Sequence, residues 1–246
     1  MGRGRRQGPA WAALLLLLPL AAMPHMAVSQ SPNPAPDITE HYTRMMKYHV
    51  YMDGSVPAGA VLFVGDSITQ GLCVAAVCDR GVNYGIGSDT TVGVLERLPK
   101  YGSIDRARAV VVAIGVNDLS RRDNDAILEN YRKIAGTVAG SGMVAGRAPL
   151  VFSAVLPVDE RVNPENAGVN GRIRELNRGL AKVCAETRGC RMVDVTGALA
   201  DDTGSLAPEN HVGDGVHLSD KGYTLWITAL RDALREIPEK AGADTP

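Results

Sequence analysis

Aromatic side chains are scarce: two Trp, two Phe and seven Tyr in 246 residues. That leaves little material for platforms on which bases or sugars stack. An excess of one charge is also missing, since 26 Lys and Arg face 27 Asp and Glu for a net charge of -1. Without a basic field the sequence argues against nucleic acid as a partner. No Gly-Lys-Ser/Thr closes any loop, so a phosphate-binding P-loop is absent. Gly85-x-Gly87 has Thr90 where a dinucleotide fingerprint needs its third glycine. Cysteine is limited to four residues, with no Cys-x-x-Cys and little His nearby, which argues against zinc. The longest apolar run, from Trp11 to Ala22, is broken by Pro19 and falls short of the roughly 20 residues of a membrane span.

That run has a meaning of its own. Arg3, Arg5 and Arg6 precede it, and the small residues Ala27 and Ser29 follow with signal-peptidase spacing. Residues 1–29 therefore read as a signal peptide, 30–37 as a Pro-rich linker, 38–239 as one domain and 240–246 as a polar tail. Cys73 is the first cysteine, far from the cleavage site, so neither a lipid anchor nor another stable membrane anchor is expected. Export to a periplasm or the extracellular space is expected, and the Arg-rich composition points to a bacterial source. In an oxidising compartment the cysteines read as two local disulfides, Cys73–Cys78 and Cys184–Cys190. The Cys73–Cys78 loop would then wall an acyl pocket, and the other bridge would be structural.

Short apolar runs at 60–64, 81–84, 109–114, 150–155 and 192–195 read as strands. Helical patterns lie at 38–52, 90–98, 124–138, 167–186 and 220–237. Continuous apolar strands alternating with helices imply a parallel sheet covered on both faces, a three-layer α/β domain. Such sheets bind ligands beyond the carboxyl ends of their strands. There the sequence places Gly65-Asp66-Ser67, Gly85-Ile86-Gly87-Ser88-Asp89 and Gly115-Val116-Asn117-Asp118, with Asp214-Gly215-Val216-His217 before the last helix.

Each residue alone has an ordinary explanation as a cap, a turn residue or a solvated histidine. Together they compose a nucleophilic site. Ser67 can attack if His217 takes its proton, and Asp214 can fix the histidine tautomer. The Ser67 and Ser88 backbone N–H groups and the Asn117 amide can receive an oxyanion. His211 and Asp214 could be imagined as part of a metal set, but a metal would occupy the base, and no metal site is expected. His41 and His49 read as surface or satisfied core residues. Arg121, Arg122, Arg172, Arg174 and Arg178 read as solvated faces.

These four blocks, in this order, resemble those of the SGNH (GDSL-type) hydrolase superfamily. Gly-Asp-Ser matches at Ser67, Gly-x-Asn-Asp at Asn117 and Asp-x-x-His at Asp214 and His217. The stretch from Asn83 to Thr91 resembles the platelet-activating-factor acetylhydrolase-like branch. The resemblance implies a flavodoxin-like sheet of about five parallel strands, esterase or acylhydrolase activity, and no metal or organic cofactor. Many members have glycine where this chain has Ser88, so Gly87 is the alternative oxyanion donor. The expected function is a serine esterase cleaving carboxylic esters, with short acyl groups favoured and a small-molecule, glycan or lipid ester as substrate. A polysaccharide O-acyltransferase using the same residues is the first alternative, and a non-catalytic carbohydrate-binding module the second.

Overall fold

The structure, a computed structural model, describes residues 1–2, 36–140 and 149–238. The expected signal peptide beyond residue 2, the linker up to residue 35 and the polar tail lie outside the described residues. Five strands form one sheet: β1 (Val61–Gly65), β2 (Gly81–Gly85), β3 (Ala109–Ala113), β4 (Leu150–Ser153) and β5 (Cys190–Val193). Their spatial order is β2-β1-β3-β4-β5, and every neighbouring pair is parallel. The order reverses between β1 and β3, and in an open α/β sheet that switch point opens the ligand crevice. Among the described residues no helix is long and apolar enough to cross a membrane.

Successive strand side chains point to opposite faces, and the apolar runs use both. Leu62, Val64, Val110, Val112, Leu150 and Phe152 join one core with α1 (Glu40–Asp53), α3 (Thr91–Arg97), α4 (Asn124–Gly140) and α5 (Val169–Glu186). Val61, Phe63, Val111, Val151 and Val193 join the other with α2 (Ser67–Gln70), α6 (Thr196–Leu199) and α7 (Asp220–Arg235). On that second face Trp226 is buried and donates from Nε1 to Ser153 Oγ at 3.0 Å. The result is a three-layer α/β/α domain.

The five expected strands are present, but β4 ends two residues early and β5 starts two residues early, at Cys190. The disulfide explains the second shift. Cys184 lies in the last turn of α5 and bridges to Cys190 with a Cα separation of 5.3 Å, within the usual range. Gly189, at φ 76°, reverses the chain between them, so strand pairing begins at the bridge itself. The other expected bridge does not form: Cys73 and Cys78 are free thiols. A 3₁₀ turn over Val74–Ala76 separates them, and the Cys78 N–H bonds back to Val74 O. On such a turn residues five apart point away from each other. Cys73 faces solvent while Cys78 packs against the second core.

Candidate active site

Ser67 sits two residues beyond β1, where the chain must turn sharply from strand to helix. Gly65 permits the turn, because a Cβ there would lie 2.2 Å from Ala113 O and 2.1 Å from Thr69 Oγ1. Gly85 does the same on β2, where a Cβ would lie 2.2 Å from the Gln70 nitrogen. The two glycines let α2 rest directly on the strand ends. Asp66 caps α2 by accepting from the Ile68 N–H at 3.0 Å, which leaves Ser67 as its first helical residue.

The loop before α7 delivers the other two groups. His217 Nε2 is 2.8 Å from Ser67 Oγ, and Nδ1 is 2.6 Å from Asp214 Oδ2. Asp214 Oδ1 accepts the N–H groups of Val216 and His217, both at 2.9 Å. Burial alone would push the Asp214 carboxyl up, but these N–H groups and the His217 ring outweigh it and hold it below the ordinary carboxylate value. An ionised carboxylate only accepts, so Nδ1 carries the hydrogen and Nε2 offers its lone pair to the Ser67 hydroxyl. That is the tautomer a general base needs.

The oxyanion candidates gather on the neighbouring turns. Asn117 donates from Nδ2 to Asp89 O at 2.9 Å, and its second amide hydrogen remains for another acceptor. Among the described residues nothing accepts from the Ser67 or Ser88 N–H. The Gly87 N–H is engaged by Gln70 Oε1 at 2.5 Å, which removes the reason to prefer it over Ser88. Ser88 adopts φ 63°, a left-handed conformation that a non-glycine residue holds only where its surroundings enforce it.

Beneath these turns lies a buried hub that sequence reasoning did not find. Arg97 donates from Nη2 to Gly65 O at 3.0 Å, from Nη1 to Tyr84 O at 2.6 Å and from Nε to Asp89 Oδ2 at 2.9 Å. One fully buried guanidinium thus ties the ends of β1 and β2 to the Ser88–Asp89 turn. The only signal was its spacing three residues after the core residue Val94, on the helix face that is buried. The expectation of solvated arginines also needs correction. Arg122 pairs with Asp118 and Asp37. Arg172 donates to Leu119 O, Arg122 O and Asn124 Oδ1. Both brace the loop that carries Asn117. Asp118 itself accepts from the Thr91 N–H and hydroxyl. His41 is exposed beside Gln70, and His49 is buried against Tyr101.

Asp66 faces a cavity lined by Ile68, Ile114, Val116, Val155, Leu156 and Trp226. Burial pushes its carboxyl up to about 7, against the opposing Ile68 N–H bond. The folded state therefore holds this proton more tightly than the unfolded chain. This group's contribution to stability is full at acid pH and is lost as pH rises from about 4 to about 7. The loss is on the order of 4 kcal/mol. Urea unfolding at pH 5 and pH 8 should show it, and Asp66→Asn should remove that slope. Equal slopes in the two proteins would overturn the assignment. The depressed carboxyls Asp37, Asp159 and Asp214 act with the opposite sign and in a lower window, losing their contribution as pH falls below about 4.

The three-layer α/β fold, with Ser, His and Asp in hydrogen-bonded series at its switch point, together with a sequence match over most of the domain, makes the chain a carboxylic ester hydrolase of the SGNH type. The chain belongs to the GDSL-like lipase/acylhydrolase family, whose sequence pattern matches residues 63–225. Comparison with the curated proteins finds no match. Among solved structures it is similar to one described as a platelet activating factor from Streptococcus pneumonia, with 25% identity and a TM-score of 0.68 over 80% of this chain and 92% of that one. It is also similar to a lipase/acylhydrolase from Enterococcus faecalis, with 24% identity and a TM-score of 0.58 over 75% of this chain and 100% of that one. A catalytic mutant of an acetylxylan esterase from Geobacillus stearothermophilus gives 19% identity and a TM-score of 0.56 over 76% and 99%.

Proposed function

We propose that the protein is an exported serine esterase that cleaves short-acyl carboxylic esters through an acyl-enzyme on Ser67. The observation that carries this reading is the continuous series Asp214–His217–Ser67, at 2.6 and 2.8 Å. Ser67 Oγ attacks the ester carbonyl while its proton passes to His217 Nε2. The Ser67 and Ser88 N–H groups and Asn117 receive the developing oxyanion. On collapse the C–O bond to the alcohol breaks, and His217 returns the proton to the leaving oxygen. Water then enters, gives a proton to His217 and releases the acid, restoring Ser67.

Export is supported by the signal-like segment at 1–29 and by the Cys184–Cys190 bridge, a bond that persists in oxidising compartments. The similarity to an acetylxylan esterase makes acetylated glycans one substrate class to test. Labelling with a fluorophosphonate, followed by peptide mapping, is expected to modify Ser67 and to be absent in Ser67→Ala. A panel of p-nitrophenyl esters from acetyl to long chain should turn over fastest at the short end. Absence of label at Ser67 would sink the reading.

A further inference from the structure

The acid and base of the proposed site have unusually little support from the rest of the fold. Among the described residues the Asp214 carboxylate is bonded only to the Val216 and His217 N–H groups and the His217 ring, all on its own loop. Its side chain and that of His217 are each 45% exposed. The position of both groups therefore depends on the path of the backbone from His211 to Leu218, and a second, buried histidine sets that path.

His211 is 8% exposed. Its Nδ1 faces two backbone N–H groups, Gly213 at 3.0 Å and Gly215 at 3.1 Å. A backbone N–H only donates, so Nδ1 must be the acceptor of both. In a neutral ring Nε2 then carries the hydrogen, and it points at Asp159 Oδ2, 3.3 Å away. The Arg161 guanidinium beside Asp159 holds that carboxyl below its ordinary value and so keeps it an acceptor. His211 thus has the opposite tautomer to His217, fixed from both sides.

The two donors flank Asp214. Drawing both N–H groups onto one nitrogen curls the chain around that residue, through Gly213 at φ 104° and Gly215 at φ 77°. At Gly215 a Cβ would also lie 2.9 Å from Asp159 O. Asp159 closes the arrangement, since its own N–H donates to Gly215 O at 2.8 Å, and Val212 N–H donates to His217 O at 3.0 Å.

We propose that His211, oriented by Asp159, is a positioning residue for ester hydrolysis. As a neutral acceptor at Nδ1, it shapes the loop that presents Asp214 and His217 to Ser67. The inference rests on the reading of Ser67, His217 and Asp214 as the catalytic groups. It assigns the effect to kcat, because the ring touches the loop and not the substrate.

Two amides separate this role from general support of the fold. In His211→Asn the side-chain oxygen stands at the δ position and can accept both N–H groups. In His211→Gln the amide lies one bond further out, where it can meet Asp159 but leaves Gly213 and Gly215 without their acceptor. With p-nitrophenyl acetate we expect the Asn variant to keep kcat within about threefold of the parent. The Gln variant should lose about 10- to 100-fold in kcat with KM within about twofold, the range a small misplacement of catalytic groups produces. Circular dichroism establishes that each variant is folded. A folded Gln variant with parental kcat, or an Asn variant as impaired as Gln, would overturn the proposal. The ¹⁵N shifts of His211 in the unaltered protein give a reading independent of any variant. A proton on Nε2 with a bare Nδ1 is expected, and a proton on Nδ1 would overturn the proposal even if the Gln variant failed to fold. Parental protein that neither labels at Ser67 nor turns over ester would instead defeat the catalytic reading, leaving the ring geometry to the ¹⁵N measurement.

Discussion

Asp214→Asn is expected to lower kcat by about 10³- to 10⁴-fold on a short-chain ester while Ser67 stays in place. The hydrogen-bond pattern dictates which way the new amide turns. Oδ1 of Asp214 accepts two backbone N–H groups at 2.9 Å, so the amide oxygen of asparagine must remain there. Its NH₂ then faces His217 Nδ1, where the carboxylate Oδ2 had been at 2.6 Å. Faced with a donor, Nδ1 becomes the acceptor and the ring hydrogen moves to Nε2, pointing at Ser67 Oγ. The base no longer has a lone pair for the hydroxyl proton. In serine proteases the same wrong-tautomer substitution costs about 10⁴. The lower end of the range applies here because the pair is half exposed, so water can compete for the ring and admit some of the productive tautomer. Steady-state kinetics on p-nitrophenyl acetate measures it, and a loss below tenfold would remove Asp214 from its proposed role.

What could be read from the chain and what could not divide along a physical line. Gly65-Asp66-Ser67 and the Asp214–His217 pair were legible because the chemistry they support fixes residue type and spacing within a few positions. Strands β1 and β3 were legible because burial on both faces leaves an unbroken apolar run. The limits of β4 and β5 were not, since apolarity continues past Ser153 into Ala154 and Val155 while strand pairing stops. Cys73 and Cys78 misled because closeness in sequence says nothing of direction on a helical turn. Arg97, Arg122 and Arg172 were missed for a related reason. A buried arginine has the same letter as a solvated one, and only the fold shows that the carbonyls of Gly65, Tyr84, Leu119 and Arg122 converge on them. The difference between His211 and His217 was equally hidden. Six residues apart on one loop, they hold opposite tautomers because one faces two backbone donors and the other a carboxylate.

Asn117→Ala is expected to lower kcat by about 10²- to 10³-fold, the usual cost of losing one oxyanion donor, with little change in KM. The substitution leaves Ser67, His217 and Asp214 untouched, so a fluorophosphonate should still modify Ser67, only more slowly. It also withdraws the donor to Asp89 O, an unpaired carbonyl that costs about 1–3 kcal/mol if no water replaces it. Asp89 precedes the fully buried Thr90 and is itself anchored by Arg97, so the turn bearing Ser88 should keep its shape despite that loss. Ser88→Gly is the matching control. It retains the backbone N–H and suits φ 63° better than serine does, so kcat should stay near the parental value. A pattern of loss at Asn117 and none at Ser88→Gly separates an amide donor at position 117 from general sensitivity of this rim. Full kcat in Asn117→Ala would leave the oxyanion to the two backbone N–H groups alone and would remove Asn117 from the mechanism.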